Sequence, residues 1–358
     1  MSAHEMLILV MAVFAGLGAL DRICGDRFGL GKEFADGIQA MGSLALAMLG
    51  IICLAPVLAA LLKPIVVPVF SFLGADPAMF AGTILACDMG GGNLAMELTQ
   101  DSQAAMLGGV ITGSMLGATV VFTIPVALGI LEEADRPFLA KGILCGIVTI
   151  PVGILAGGLV AGFPLGMVAR NLIPIVLIGA VIAVGLWKAE SAMIRGFGYF
   201  GKGVTAVITV GLAAAVIERL TGFVLIPGLE SLEAGFQTVG EIAIVLAGAF
   251  PLVYTVTRFF RKPLIRFGKR LGINDASAAG LVASLANSIA TFGMVKDMDD
   301  RGKVVNIAFA VSAAFVFGDH LGYTAGFAPQ MLPGMIVGKL AGGVSAVALA
   351  LLLTRKEK

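Results

Sequence analysis

Charge is scarce in this chain. Asp, Glu, Lys and Arg make up 13% of its 358 residues, against about 25% in an average soluble domain. The hydrophobic share is 58% and the mean hydropathy +1.01. This composition excludes a large soluble enzyme and implies a polytopic membrane protein. The formal net charge of +1 argues against an acidic partner or nucleic acid. Histidine is nearly missing: His4 and His320 are the only two, so there is no HExxH or paired-histidine metal motif, and no nucleophile elbow appears either. Cys24, Cys53, Cys87 and Cys145 lack CxxC spacing and lie in or beside apolar runs. They read as buried free thiols, neither disulfides nor metal ligands. No motif calls for a cofactor. The opening Met-Ser-Ala-His-Glu lacks the basic region of a cleaved signal, so residues 6–20 are expected to remain as a first membrane helix.

What the chain does have is apolar segments, eleven of them: 6–25, 40–62, 76–98, 104–131, 138–162, 166–187, 203–225, 237–257, 276–295, 304–327 and 332–353. Most reach the ~20 residues that a helix needs to cross ~30 Å of hydrocarbon. The chain also repeats itself. Residues 37–82 align without a gap to 235–280, a shift of 198, with 11 identities where composition alone predicts about four. Lys141 and Lys339 correspond too, and Leu20–Gly25 echoes Ile217–Gly222 one residue out of step. The expected division is a first transmembrane repeat (1–162), a connecting helix and cytoplasmic loop (163–202), and a second repeat (203–358).

Charge distribution bears on orientation. If all eleven segments crossed, the most basic loop, Arg258 to Arg270 with six Lys/Arg, would lie opposite the basic tail Arg355 to Lys358, against the positive-inside rule. If 76–98 and 276–295 instead dip in and return, 20 of the 24 Lys/Arg fall on the cytoplasmic side. Lys63, Arg170, Arg219 and Lys339 then sit near outer ends, from which they could snorkel to the interface. The fold expected is therefore all-α: inverted repeats, about nine spanning helices and two re-entrant hairpins, with the N-terminus outside and the C-terminus cytoplasmic. Inverted repeats are a common transporter plan, with the site near the midplane. Two kinked spanning helices are the plainer alternative to the hairpins.

The hairpin tips carry the chemistry. Cys87-Asp-Met-Gly-Gly-Gly-Asn93 breaks an apolar run about ten residues from either end, ~15 Å of helix, which places it near mid-bilayer. Gly90, Gly91 and Gly92 free the backbone to turn, and the tip must then pack on protein or line a watery cavity. Asp88 there can hold a small organic cation, with Asn93 beside it; the plainer role is fixing the hairpin. The second tip lies near Leu285–Ile289. Its Asn287 and Ser288, with Thr291, can hydrogen-bond a hydroxyl, or serve only as glue between helices. Asp319 and His320 add a carboxylate and a titratable group inside an apolar run, where ionisable side chains usually mark a substrate or ion path. Phe122, Phe292, Phe315 and Tyr323 can wall a cavity or stack on an ammonium.

Three further signals are discounted. Gly196-Phe-Gly-Tyr-Phe-Gly201 fits GxGxxG but has no preceding strand and reads as a loop. Asp297, Asp299 and Asp300 sit among basic neighbours and read as a solvated hinge. Asp21/Arg22 and Glu218/Arg219 read as interfacial anchors with local charge partners.

Two stretches carry a resemblance. KDMDDRGKVVNIAFAVSAAFVFGDHLGYTAG (296–326) and GADPAMFAGTILACDMGGGNLA (74–95) closely resemble the signatures of the ethanolamine-utilisation permease family, EutH. The resemblance implies a bacterial inner-membrane protein, not an enzyme, that admits ethanolamine and is needed most when the amine is scarce or the medium acidic. Its substrate would be the ammonium, its setting the lipid bilayer, and a homodimer is suggested by analogy with other hairpin-bearing repeats. Motif position puts the site on Asp88, Asn93, Asn287, Ser288, Asp319 and His320. Two alternatives stay open: a channel-like pore for small amines, and a membrane enzyme or sensor acting on amino-alcohol headgroups.

Overall fold

The computed structural model describes residues 2–354, apart from the side chains at 260–262, 264–267 and 269. The first half contains α1 (Ala3–Ile23), α2 (Leu30–Phe72), α3 (Ala78–Ile84), α4 (Gly91–Leu98), α5 (Ser102–Ala105), π-helical turns over Met106–Gly117 and Thr119–Thr123, α6 (Ile124–Ile130) and α7 (Arg136–Val160). After α8 (Leu165–Thr221) come α9 (Leu232–Arg270), α10 (Asp275–Ala286), α11 (Ser288–Gly293), α12 (Asp300–Ala313), α13 (Asp319–Phe327) and α14 (Leu332–Leu353).

Among the described residues, seven helical stretches are long and apolar enough to cross a membrane, against the nine crossings expected. Segments 166–187 and 203–225 are joined in α8, a single 57-residue helix bent at Ala189 (φ −143°, ψ 47°). Segment 304–327 is broken at 314–318 into α12 and α13, each shorter than a crossing requires. The expected cytoplasmic loop ending at 202 is therefore helical, and so is Gly196–Gly201. Gly201 is needed for packing, since a side chain there would strike Pro125. The basic stretch 258–270 is not a loop either but the end of α9. The side chains of Arg261, Lys262, Arg266 and Lys269 and the whole tail 355–358 lie outside the described residues.

Both apolar stretches expected to turn back do so. α3 and α4 pack on each other, and their outer ends meet where the Thr99 hydroxyl donates to Asp76 at 2.8 Å. At the second hairpin the Asn274 amide N–H donates to Asp299 at 2.8 Å, and its side-chain amide donates to the Asp297 carbonyl at 2.9 Å. Asp299 also caps α12, so this acid belongs to a hydrogen-bonded clasp and not to a freely solvated hinge. Lys303 in the same segment is drawn into an ion pair of 2.6 Å with the buried Asp135.

The spacing of 198 reappears in the elements. The first tip, 87–89, maps onto 285–287, where α10 ends, and the 3-10 turn at 133–135 maps onto 331–333, where α14 begins. Gly37 packs on the Leu246–Ala247 backbone, while its counterpart Gly235 packs on Leu49, so α2 and α9 run antiparallel. α7 and α14 do the same, with Gly153 against the Gly338 carbonyl and Gly157 against that of Gly334. Small residues allow such close backbone approach inside a bilayer. The π-helical stretch uses the same device: Gly108, Gly113 and Gly117 seat the Ala78 carbonyl, Cys87 and Leu85. The first hairpin is thereby held against the wide turns of a π-helix, a geometry frequent at functional sites.

Four charged or thiol groups sit otherwise than expected. Lys339 is 1% exposed and buried in the protein, not at an interface. Asp21 accepts from the backbone N–H groups of Phe28, Leu30 and Gly31 rather than pairing with Arg22. Arg219 finds its partner in Glu233, across the connection to α9. Cys24 is exposed, whereas Cys53, Cys87 and Cys145 are buried.

Candidate functional site

A cavity of about 960 Å³ opens between α2, α6 and α8 and runs inward to the first hairpin tip. Its mouth carries the exposed Arg195, Tyr199 and Lys202 of α8. Its floor is made of Asp88, Phe315, Asp319 and His320, and Phe122 stands at the wall. Ser43 and Thr205 carry the aliphatic hydroxyls on the lining, and Tyr199 a phenolic one.

Local sequence explains how the floor is presented. The chain leaves α3 in extended conformation at Leu85, makes a 3-10 turn over Cys87–Met89, and re-enters helix after Gly90 at φ +85°. A side chain there would be strained and would also collide with Ile51. Only this glycine of the three has left-handed backbone; Gly91 and Gly92 are helical and serve close packing instead. On the other wall, Phe315 has φ +62°, an uncommon conformation for a bulky residue and a form of strain that clusters at functional sites. Backbone bonds hold it: the Phe315 N–H donates to the Ser284 carbonyl at 3.0 Å, and that of Phe317 to Leu285 at 2.9 Å. The second hairpin thus props the break between α12 and α13, and the break brings Asp319 and His320 to the floor.

The groups converge closely. His320 Nε2 lies 3.6 Å from Asp88 Oδ1, and the ligand atoms of Cys87, Asp88 and His320 all lie within 4.8 Å of one another. The Phe315 ring stands between Phe122, edge-on at 5.4 Å, and the His320 imidazole at 5.3 Å. Lys339 approaches from α14, donating to the Ser114 carbonyl of the π-helix, within electrostatic reach of Asp88 and Cys87. A π-helical turn leaves carbonyls imperfectly paired, which suits an internal cation. With Asp88, Asp319 and Lys339 at their formal charges and His320 neutral, the floor carries one net negative charge. It is chemically suited to a single monovalent cation.

A family profile described as "Ethanolamine utilisation protein, EutH" matches residues 3–353. The chain belongs to the EutH family. It is 58% identical over 356 residues to the "Probable ethanolamine permease EutH" of Listeria monocytogenes serotype 1/2a, covering 99% of this chain and 95% of the relative. It is 47% identical over 395 residues to the protein so named in Salmonella typhimurium, covering 100% and 97% respectively. The "Uncharacterized protein YxeR" of Bacillus subtilis is 53% identical over 354 residues, covering 99% and 96%. No solved structure matches.

In this EutH-family chain both resemblance-bearing stretches reach the floor, one through Asp88 and the other through Phe315, Asp319 and His320. The remaining expected site residues lie elsewhere. Asn93 faces a second, smaller pocket. Asn287 caps α11 by accepting from the Ile289 N–H. Ser288 and Phe292 are buried. Thr291 donates to the Gly280 carbonyl and shares a hydrogen bond with Ser284, inside the second hairpin. Tyr323 is buried against Gly92. Sequence reasoning missed Lys339, Ser43 and the Arg195–Lys202 rim. A lysine in the middle of the apolar stretch 332–353 was a legible signal for the first; Ser43 and the rim had none.

Proposed function

We propose that this chain carries ethanolamine across the bacterial inner membrane as the ammonium cation. The observation that carries the reading is the cavity floor, where two carboxylates from unwound tips meet deep inside an apolar helical protein, offset by one lysine. Asp88 pairs with the ammonium and Asp319 supports it. Phe122 and Phe315 offer ring faces to the cation. Ser43 or Thr205 takes the substrate hydroxyl, a role the sequence had suggested for Asn287. The permease names of the relatives support the substrate.

The finer architecture belongs to the same proposal. Two sequence-related halves whose equivalent helices run antiparallel, α2 with α9 and α7 with α14, support inverted repeats, the hairpins re-entering from opposite faces. The division falls at the Ala189 bend, and the basic mouth lies on the cytoplasmic side by the positive-inside rule. The cavity is then the inward-open half of an alternating-access cycle. The test is Asp88→Asn in proteoliposomes at acidic pH, where the substrate is almost wholly ammonium. Uptake of labelled ethanolamine should fall at least 100-fold with protein abundance unchanged; retained uptake overturns the role of Asp88.

A further inference from the structure

Behind the floor lies a second pocket, of about 120 Å³, between the outer ends of the first hairpin and α2. Its polar lining is Asn93, Glu97 and Glu230, and Phe327 and Pro56 form part of its apolar wall. The volume corresponds to roughly four waters at ~30 Å³ each, the size of a small amino alcohol. The two pockets have opposite rims: Arg195 and Lys202 at the mouth of the large cavity, two glutamates at the small one. Glu230 is fixed in place, its N–H donating to the Cys53 carbonyl of α2 at 2.8 Å.

Polar atoms without partners mark the space between the pockets. Asn93 Oδ1 and the hydroxyl of the fully buried Tyr323 have no hydrogen-bond partner among the described residues. Leaving such buried groups unpaired is unfavourable, and a ligand donor can relieve it. The Tyr323 and Phe327 rings stack at 5.0 Å and 17°. Both press on Gly92, where any side chain would run into the tyrosine hydroxyl and the Phe327 ring. Asp88 and Asn93 are five residues apart on the same tip, and Gly92, on which both rings press, directly precedes Asn93 in the chain.

We propose that Asn93, Glu97 and Glu230 form a loading subsite for a small organic ammonium on the face opposite the cavity mouth, and that the Tyr323–Phe327 stack on Gly92 is the gate between it and Asp88. The cation is drawn in by the glutamates and donates to Asn93 Oδ1. It passes to Asp88 when the stack swings off Gly92. This rests on the transport reading above and adds to it the side and order of loading.

Two measurements test it. In otherwise unchanged protein, Glu97→Gln and Glu230→Gln should each raise the ethanolamine concentration for half-maximal uptake from that face at least fivefold, with Glu97→Asp falling between. An unchanged half-saturation overturns the subsite. For the gate, Cys87 is left as the sole thiol through Cys24→Ser, Cys53→Ser and Cys145→Ser, and a membrane-impermeant trimethylammonium methanethiosulfonate is added to the glutamate face. Phe327→Ala should accelerate labelling of Cys87 at least tenfold, and ethanolamine should slow it; equal rates with and without Phe327 overturn the gate. Asp88→Asn separates this proposal from the transport reading. If it retains uptake while the glutamate variants still shift half-saturation, the role of Asp88 falls and the subsite stands.

Discussion

The two hairpin tips lie 198 residues apart in the chain and are built differently. Residue by residue at the 198 spacing, Asp88 faces Ala286, Gly90 faces Ser288 and Asn93 faces Thr291. The first tip turns on a left-handed glycine and leaves its carboxylate free to line a cavity. The second has Asn287 capping α11 and Thr291 tied to Gly280 and Ser284, while the buried Ser288 hydroxyl has no partner among the described residues. Its carbonyls support a broken helix, and that break delivers the second carboxylate, Asp319. In the first half the equivalent of the break is continuous helix, π-helical on either side of Ala118, with Gly117 where the strained Phe315 stands. Corresponding positions at the 198 spacing share turns in the chain, whereas the carboxylates Asp88 and Asp319 sit where the paired residues differ.

Lys339 gives the sharpest way to break that comparison, because its counterpart Lys141 is exposed at the start of α7 while Lys339 is buried beside the floor. Without Lys339 the empty site would hold two carboxylates with no cation between them, and like charges repel strongly at low dielectric. Lys339→Met should therefore lower turnover at least 100-fold while leaving ethanolammonium bound at least as tightly, read by uptake and by calorimetric titration in detergent. Lys141→Met should change neither, and should shift stability by less than ~0.5 kcal/mol as an exposed substitution. Equal effects at both lysines would show that burial of Lys339 has no part in transport.

A smaller effect is expected at Asp319. Asp319→Asn takes the formal charge of the floor from minus one to zero but keeps the carboxylate that touches His320. The half-saturating ethanolamine concentration should rise about tenfold, roughly 1.4 kcal/mol of binding, with Asp88→Asn far more severe. If the two variants were equally damaging, the carboxylates would act as one paired site rather than as leader and support.

How far the sequence could be read follows from what each signal depends on. Hydropathy reports a local, periodic fact, so the α-helical class with long apolar helices was legible, as were the two places where the chain turns back; the ionisable residues singled out in apolar runs, Asp88, Asp319 and His320, line one cavity. The helical linker 189–202 was not, because Gly196, Gly198 and Gly201 look like loop residues, whereas in the fold they sit inside α8 and Gly201 lets that helix close on α6 at Pro125. Lys339 was misplaced by a rule about loops and interfaces that says nothing of a lysine offered a carbonyl inside a π-helix. That Asn287 and Ser288 lie away from the cavity, while Ser43 lines it, was illegible for a similar reason. Which hydroxyl or amide faces a cavity depends on how three helices meet, and each residue alone is an ordinary polar residue in an apolar run.

Asn287 supplies the smallest expected effect and the finest test of the difference between the tips. If its side chain only accepts the Ile289 N–H at 2.8 Å, then Asn287→Ala removes a cap worth about 1 kcal/mol and lowers the unfolding temperature slightly. Half-saturation for ethanolamine should move less than twofold, and Asn287→Asp, which keeps an acceptor for the same N–H, should restore the lost stability. A substrate-binding amide would behave in the opposite way, since aspartate would add a third carboxylate attracting the ammonium and shift half-saturation strongly. The pair of substitutions therefore separates a tip that holds substrate from one that holds the break in place.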